Sequence, residues 1–206
     1  MYEVEIKVPA DVDAVRDRLR DAGAERVDAR RQRDTYYDAP HRDFAETDEA
    51  LRVRCETPLP DGTGSLAPGD GAESSDSPAA ARTTELTYKG PLLDEGSKTR
   101  AEHETAVADP EAAAGILSGL GFEPAATVEK RREFWAYDGF TVTLDAVDGL
   151  GEFVEIERAV EDEGSIASVR DDALDALGRL GLDGAEQVRT SYLGLLLADD
   201  GASDGN

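Results

Sequence analysis

The 206-residue sequence predicts an α+β domain in which about eight antiparallel strands form a closed barrel, with three or four helices packed on its outside. Two observations favour this fold. Segments in which charged and apolar residues alternate recur along the chain, as is typical of strands with one apolar face. Nearly every such strand also carries charges on its polar face, mostly of both signs, which is unusual for a face that simply meets solvent. If the sheet closes, these polar faces line a tunnel.

The first predicted strand spans residues 3–8, where alternation is strict, and Pro9 ends it. The other strands are predicted at residues 35–37, 50–54, 85–89, 98–106, 127–137, 141–145 and 152–158. Asp138-Gly139 predicts a hairpin turn between the sixth and seventh strands, and residues 147–151 predict the turn into the eighth.

Helices are predicted where apolar residues recur at helical spacing, at residues 11–22, 109–120, 165–180 and 191–197. Asp109 is suited to cap the second helix and Pro110 to its first turn. We expect one domain over residues 1–197. Residues 57–83 are rich in Pro, Gly, Ser and Asp and predict a flexible insertion within it. Residues 198–206 predict a disordered acidic tail.

The net charge of −24 limits the partners of this protein. Such a field repels nucleic acids and anionic membranes, so we expect neither as a partner. Acidic residues spread along the whole chain resemble the proteins of a halophilic archaeon. The chain shows no signal peptide, no membrane segment and a single cysteine, which predicts a cytoplasmic location. Only four of the 22 basic residues are lysines: Lys7, Lys89, Lys98 and Lys130.

Because side chains alternate across a strand, residues two apart share a face. This rule places charged and polar residues together on five strands, opposite apolar ones. The sets are Glu3, Glu5 and Lys7; Arg52 and Arg54; Lys98, Arg100, Glu102 and Glu104; Thr141, Thr143 and Asp145; and Glu155 and Glu157. A tunnel lined in this way suits a polyanion that is held through divalent cations.

Several short segments together resemble, in their order, the CYTH or triphosphate tunnel superfamily. They are EVEIK at 3–7, DTYYD at 34–38, LR at 51–52, YKGP at 88–91, RAE at 100–102, VEKRR at 128–132, LD at 144–145 and LGEFVEIE at 150–157. The first matches the ExExK signature on the first strand. SYL at 191–193 is similar to the C-terminal segment of class IV adenylyl cyclases and their archaeal relatives.

The resemblance implies a polar tunnel that binds a triphosphate and one or two Mg²⁺ or Mn²⁺ ions. The implied metal ligands are Glu3, Glu5, Asp145 and Glu155, with Glu157 as a fifth, and hard oxygen ligands suit both ions. The implied phosphate clamp is Lys7, Arg52, Lys89, Arg100, Lys130 and Arg132. We expect Glu3, Glu5, Lys7, Asp145 and Glu155 to be the catalytic set. Arg54 and Lys98 share the polar faces, and Arg131 points outward by parity.

The resemblance favours a class IV adenylyl cyclase-like enzyme that converts ATP to cyclic AMP and pyrophosphate. A triphosphatase of the same fold, acting on tripolyphosphate, a nucleoside triphosphate or thiamine triphosphate, is the alternative. A non-catalytic module that binds nucleotide or polyphosphate is a third reading. The family also implies a homodimer. The sequence has no GK[ST] loop, which excludes a P-loop as the phosphate grip.

Overall fold

The computed structural model describes residues 2–60, 82–93 and 99–203. Most of the predicted insertion at 57–83 lies outside these residues, and so does Lys98. The strands are β1 Tyr2–Pro9, β2 Glu25–Asp38, β3 Ala50–Pro58, β4 Thr83–Leu92, β5 Arg100–Ala106, β6 Glu123–Tyr137, β7 Phe140–Val147 and β8 Gly151–Val160. The helices are α1 Val12–Asp21, α2 Phe44–Thr47, α3 Pro110–Gly119, α4 Ile166–Arg179 and α5 Tyr192–Ser203. Short 3₁₀ turns lie at Glu163–Ser165 and Gly184–Glu186.

The eight strands form a closed antiparallel barrel in the order β1-β5-β4-β3-β2-β6-β7-β8. This confirms the predicted fold class. The pairing of β1 with β5 is the shortest seam and joins Tyr2 to Ala101 and Glu3 to Arg100. A closed barrel has no free sheet edge, so the polar faces of all eight strands meet in one interior.

Strand register sets which polar residues lie beside each other on neighbouring strands of the interior face. Glu5 lies opposite Glu157, and Lys7 lies opposite Glu155. Arg132 lies opposite Asp145 on the next pair of strands. Side chains directly opposite in an antiparallel pair lie on the same face, so each of these pairs is brought into reach.

Two groups of helices cover the apolar outer face of the barrel. Helices α1 and α4 pack on β1, β7 and β8 in the largest core cluster, where Val4, Ile6, Leu144, Ile156 and Leu177 are completely buried. A smaller cluster seats α2 and α3 outside β2, β3 and β4. The predicted cap at Asp109 forms, since its carboxylate accepts a backbone N–H bond at the start of α3, and Asp11 caps α1 in the same way. No helix within the described ranges is both long and apolar enough to span a bilayer.

The structure differs from the sequence prediction mainly in β2, which begins at Glu25 rather than at Thr35. The outer face of this strand carries Arg31 and Arg33, and both pair with Glu129 of β6, at 2.8 and 3.4 Å. With polar residues on both faces, the strand shows no hydrophobic alternation, so its first ten residues were missed. Helix α5 also continues to Ser203, beyond the predicted end at Leu197.

Candidate active site

The barrel encloses a polar cavity of about 320 Å³. Ten of the eleven predicted site residues line it, and Asp145 does not. The ten are Glu3, Glu5, Lys7, Arg52, Lys89, Arg100, Lys130, Arg132, Glu155 and Glu157. Strand alternation placed seven of these ten on the polar face of a predicted strand, and the family resemblance supplied Lys89, Lys130 and Arg132.

Three carboxylates form a compact cluster on one wall of the cavity. Each of Glu3, Glu5 and Glu157 offers a ligand oxygen, and these oxygens all lie within 4.8 Å of one another. The pKa of Glu157 is raised to about 8, chiefly by burial and in addition by the charge of the neighbouring Glu3. Burial also raises the pKa of Glu3. Lys89 lowers this pKa, and Glu102 raises it. Crowded and buried carboxylates of this kind fit a divalent cation. The positive charge of such an ion would offset both the cost of burying the carboxylates and the repulsion between them.

Asp145 lies outside this cluster, although the sequence suggested it as a metal ligand. It is completely buried, and Arg132 donates to both of its oxygens, with Nε 2.6 Å from Oδ1. The Tyr192 hydroxyl donates to Oδ2 at 2.9 Å, and Lys130 Nζ is 3.4 Å from the same atom. With both oxygens occupied, Asp145 orients the cations around it.

Glu155 is likewise engaged by a cation, since Arg132 Nη2 donates to its carboxylate. Burial would raise the pKa of Glu155, but Arg132, Lys130 and Lys7 outweigh it and hold the pKa well below the usual range. Glu155 is therefore held in its charged form by these cations. The guanidinium group of Arg132 thus connects Glu155 to Asp145.

A second buried aspartate, Asp34, holds cations on the neighbouring strand pair β2 and β3. Arg54 Nε and Nη2 each donate to it at 2.6 Å, and Arg52 Nη1 lies 3.4 Å from Oδ2. Burial would raise the pKa of Asp34, but Arg54 and Arg52 hold it far below its usual range. The sequence analysis gave Asp34 no role, although it lies in the quoted DTYYD segment. Its inward parity with Tyr36 was the signal that could have found it.

The N-terminal end of α5 closes one end of the cavity. Lys7 Nζ donates to the Thr190 carbonyl at 2.8 Å and lies 4.1 Å from the centre of the Tyr192 ring. Lys130 Nζ lies 4.9 Å from the same ring. Burial, assisted by Arg132, lowers the pKa of Lys130 to about 8. Lys7 and Lys130, two of the predicted phosphate ligands, thus both contact the Tyr192 ring at this end of the cavity.

Lys89 and Arg100 lie on β4 and β5, on the side of Glu3. Lys89 Nζ contacts Glu102 and is 3.6 Å from Glu3. Arg100 donates to the Asp48 backbone carbonyl at 2.5 Å and to the Asp48 carboxylate at 2.7 Å. Acidic side chains thus accompany both cations. Sequence reasoning missed Asp48 because it lies in a short loop.

Sequence reasoning also missed a group of lining residues further along the cavity. They are Arg30, Gln32, Glu56, Glu85 and Phe134. Arg30 and Gln32 lie on the unpredicted part of β2, and the rest lie on predicted strands or at their edges. His103 is exposed on the outside of the barrel and stacks on Tyr88, with ring centres 6.4 Å apart.

Comparison with known proteins agrees with this fold. The CYTH domain model matches residues 1–192, so the chain belongs to the CYTH domain family. This confirms the resemblance seen in the sequence.

Two curated relatives and one solved structure show how far the similarity extends. The Methanocaldococcus jannaschii protein MJ0240, which bears a provisional adenylate cyclase name, is 34% identical over 196 residues, covering 95% of this chain and 98% of that protein. Adenylate cyclase CyaB of Aeromonas hydrophila is 28% identical over 193 residues, covering 93% and 86%. The structure of PH1819 from Pyrococcus horikoshii superposes with a TM-score of 0.81 at 35% identity, covering 96% and 99%.

Proposed function

We propose that this protein is a metal-dependent, triphosphate-processing enzyme of the class IV adenylyl cyclase type, which converts ATP to cyclic AMP and pyrophosphate. The observation that carries the proposal is the cavity, in which a carboxylate cluster faces a set of buried cations inside a closed barrel. The names of the two curated relatives support the cyclase assignment.

The cations form a clamp suited to a triphosphate. The clamp consists of Lys7, Arg52, Lys89, Arg100, Lys130 and Arg132. A chain with a net charge of −24 repels polyanions over most of its surface, so a triphosphate gains from this concentrated positive site. Arginine can also contact phosphate oxygens in bidentate fashion, which fixes the orientation of the chain of phosphates.

We propose Glu3, Glu5 and Glu157 as the ligands that hold a Mg²⁺ or Mn²⁺ ion. When bound, such an ion neutralises phosphate charge and lowers the pKa of an attacking hydroxyl. Asp145 and Glu155 then serve by fixing Arg132, which donates to both carboxylates. This assignment keeps all five predicted acidic residues in the site but gives them two different roles.

In the proposed reaction the ribose 3′-hydroxyl gives up its proton to solvent as its oxygen attacks the α-phosphorus, and the bond from that phosphorus to the oxygen bridging it to the β-phosphorus breaks. Pyrophosphate leaves with the electron pair of that bond. The clamp holds the β- and γ-phosphates and stabilises the negative charge that grows on the leaving group. The same clamp would serve a hydrolase, in which water attacks the terminal phosphorus.

A product assay tests the proposal directly. The purified protein is incubated in molar KCl with Mg²⁺ or Mn²⁺ and either ATP or tripolyphosphate, and products are separated by chromatography. Cyclic AMP and pyrophosphate in equal amounts would establish the cyclase. Orthophosphate without cyclic AMP would assign the triphosphatase activity instead. Tight triphosphate binding without either product would leave the non-catalytic module.

A matched pair of variants shows that any product comes from this site. Glu5→Gln removes one charge from the carboxylate cluster, whereas Glu161→Gln removes one from an exposed position just after β8. We expect the first variant to lose turnover and the second to keep it. Equal activity in both would reject the site.

A further inference from the structure

Asp48 has a backbone conformation that favours glycine. It follows helix α2 with a φ of +53°, in the left-handed region that a side chain makes costly. The Glu49 N–H donates to the Phe44 carbonyl at 2.9 Å, which is the bond that ends a helix when a left-handed residue follows it. Glycine is the usual residue at that position, so the aspartate points to a use for its side chain.

The loop that carries Asp48 is fixed by its other contacts. The Glu49 carboxylate accepts a bond from the Thr47 hydroxyl at 2.7 Å and another from the Tyr88 hydroxyl. Arg42 Nη1 lies 3.3 Å from the same carboxylate. Because Tyr88 lies on β4, these contacts tie the loop to the wall of the barrel. A left-handed residue persists only where its surroundings hold it in this way.

Asp48 offers two acceptors to one residue of the clamp, Arg100. Nη1 of Arg100 donates to the Asp48 backbone carbonyl at 2.5 Å, and Nη2 donates to Oδ2 at 2.7 Å. The Arg100 side chain is 3% exposed, and both residues line the cavity. Two bonds from one planar group fix its orientation as well as its position. Asp48 therefore determines how a buried guanidinium is presented to the interior.

The place of Arg100 on β5 gives this orientation a consequence for binding. Arg100 lies opposite Glu3 in the register of β1 and β5, and Glu3 belongs to the carboxylate cluster. A guanidinium carries five N–H donors, so it can hold Asp48 and a phosphate oxygen at the same time. A side chain that is already held loses little conformational freedom when a ligand binds, whereas a free arginine loses much.

We propose that Asp48 is a positioning residue, which holds the Arg100 guanidinium in the orientation that contacts the triphosphate beside the carboxylate cluster. Asp48 acts through Arg100 and does not contact the substrate itself. The inference rests on the proposed function and deepens it, because it extends the phosphate-binding site to the loop between α2 and β3. If Asp48 instead competed with phosphate for Arg100, its removal would tighten binding.

The test measures binding to the clamp without turnover. The probe is the bis-methylene analogue of tripolyphosphate, whose P–C–P bridges cannot be hydrolysed, and calorimetry in molar KCl with Mg²⁺ gives its dissociation constant. Asp48→Gly keeps the left-handed backbone and its carbonyl but removes the carboxylate. We expect the dissociation constant to rise about tenfold, as for the loss of one charge-assisted hydrogen bond.

A conservative variant and a matched control accompany Asp48→Gly. Asp48→Asn tolerates the same backbone and keeps an oxygen acceptor, so we expect the dissociation constant to rise about threefold or less. Asp138→Gly is the control, since Asp138 also has a positive φ, of +50°, but lies in the turn between β6 and β7 and outside the described cavity lining. It should bind the analogue as the wild-type protein does.

A double variant tests whether Asp48 acts through Arg100. Arg100→Met removes the guanidinium and should weaken binding by itself. Adding Asp48→Gly to this variant should change the dissociation constant by less than about twofold, because the group that Asp48 positions is gone. A further loss of about tenfold in the double variant would show that the two residues act independently and would overturn the inference.

The other outcomes are equally decisive. Unchanged binding by Asp48→Gly, even with a lower melting temperature, would assign Asp48 a purely structural role, and tighter binding would make it a competitor of the phosphate. If the wild-type protein did not bind the analogue, the clamp would be rejected and the inference with it. Failure of the proposed function alone is a different result, namely no product from ATP or tripolyphosphate while the analogue still binds.

Discussion

Arg54 donates two hydrogen bonds to the Asp34 carboxylate, from Nε to Oδ1 and from Nη2 to Oδ2, each at 2.6 Å. On the adjoining strands β6 and β7, Arg132 engages Asp145 in the same bidentate way. This side of the barrel thus has two completely or almost completely buried aspartates that hold basic side chains at the interior. The cations of the clamp are preorganised by these two carboxylates before a substrate arrives.

The first prediction concerns Asp34. Asp34→Asn should lower the free energy of unfolding by about 3–5 kcal/mol at neutral pH, because it leaves two buried guanidinium groups without their counterion. Since the folded-state pKa of Asp34 is depressed, its contribution to stability is present above the unfolded-state pKa of about 4 and is lost as the pH falls. Chemical denaturation at pH 7 and pH 3 measures both effects.

The control for this prediction is Asp38→Asn, because Asp38 is exposed on the same strand. It should change the free energy of unfolding by no more than about 0.5 kcal/mol. If the two variants were equally stable at pH 7, the buried pair would not have the role assigned to it.

The second prediction concerns the geometry of Arg132. Arg132→Lys keeps the positive charge but cannot reproduce the bonds to Asp145 and Glu155 together. We expect turnover to fall about a hundredfold or more, as when a preorganised electrostatic contact is lost. The neighbouring Arg131→Lys, which does not line the cavity, should stay near the wild-type rate. Steady-state kinetics on both variants provides the comparison, and similar losses would point to a general effect on β6.

The third prediction separates the hydroxyl of Tyr192 from its ring. Tyr192→Phe removes one donor to Asp145, which keeps its bonds to Arg132, so we expect a loss of about 1 kcal/mol in stability. Tyr192→Ala also removes the ring over Lys7 and its packing on Phe153, and should cost about 3–5 kcal/mol. Thermal unfolding of the two variants gives the difference. Equal losses would mean that the hydroxyl alone holds α5 in place.

The fourth prediction follows from the raised pKa of Glu157. An acid whose folded-state pKa is raised stabilises the fold at low pH, and this contribution is lost as the pH rises from about 4.5 toward about 8. In EDTA, the melting temperature should therefore fall by several degrees between pH 6 and pH 9, and Glu157→Gln should flatten this slope. Glu161→Gln should keep it. An unchanged slope in Glu157→Gln would show that Glu157 is ordinarily ionised.

Strand alternation predicted the barrel and part of its lining because an inward or outward position depends only on parity along one strand. Parity does not give the register between strands, so it could not show that Asp145 pairs with Arg132 or that Asp34 pairs with Arg54. Asp145 was predicted as a metal ligand and Asp34 was given no role, and neither arginine partner was predicted. Strand β2 was largely missed because its outer face carries Arg31 and Arg33 where an apolar residue was expected.

The family resemblance supplied what alternation could not, namely the triphosphate and the metal ion. Even so, it grouped all five carboxylates as metal ligands, whereas the geometry brings Glu3, Glu5 and Glu157 together and gives Asp145 to Arg132. Only the distances between side chains could separate the three clustered carboxylates from those that bind Arg132.

The most direct test of the account is a Mn²⁺ titration followed by electron paramagnetic resonance in molar KCl, without nucleotide. The wild-type protein should bind Mn²⁺ in a saturable way. Glu5→Gln and Glu157→Gln should each weaken binding about tenfold or more, as loss of one carboxylate ligand requires. Asp145→Asn should weaken it far less. If Asp145→Asn abolished Mn²⁺ binding while Glu5→Gln and Glu157→Gln left it unchanged, the metal site proposed in this barrel would be contradicted.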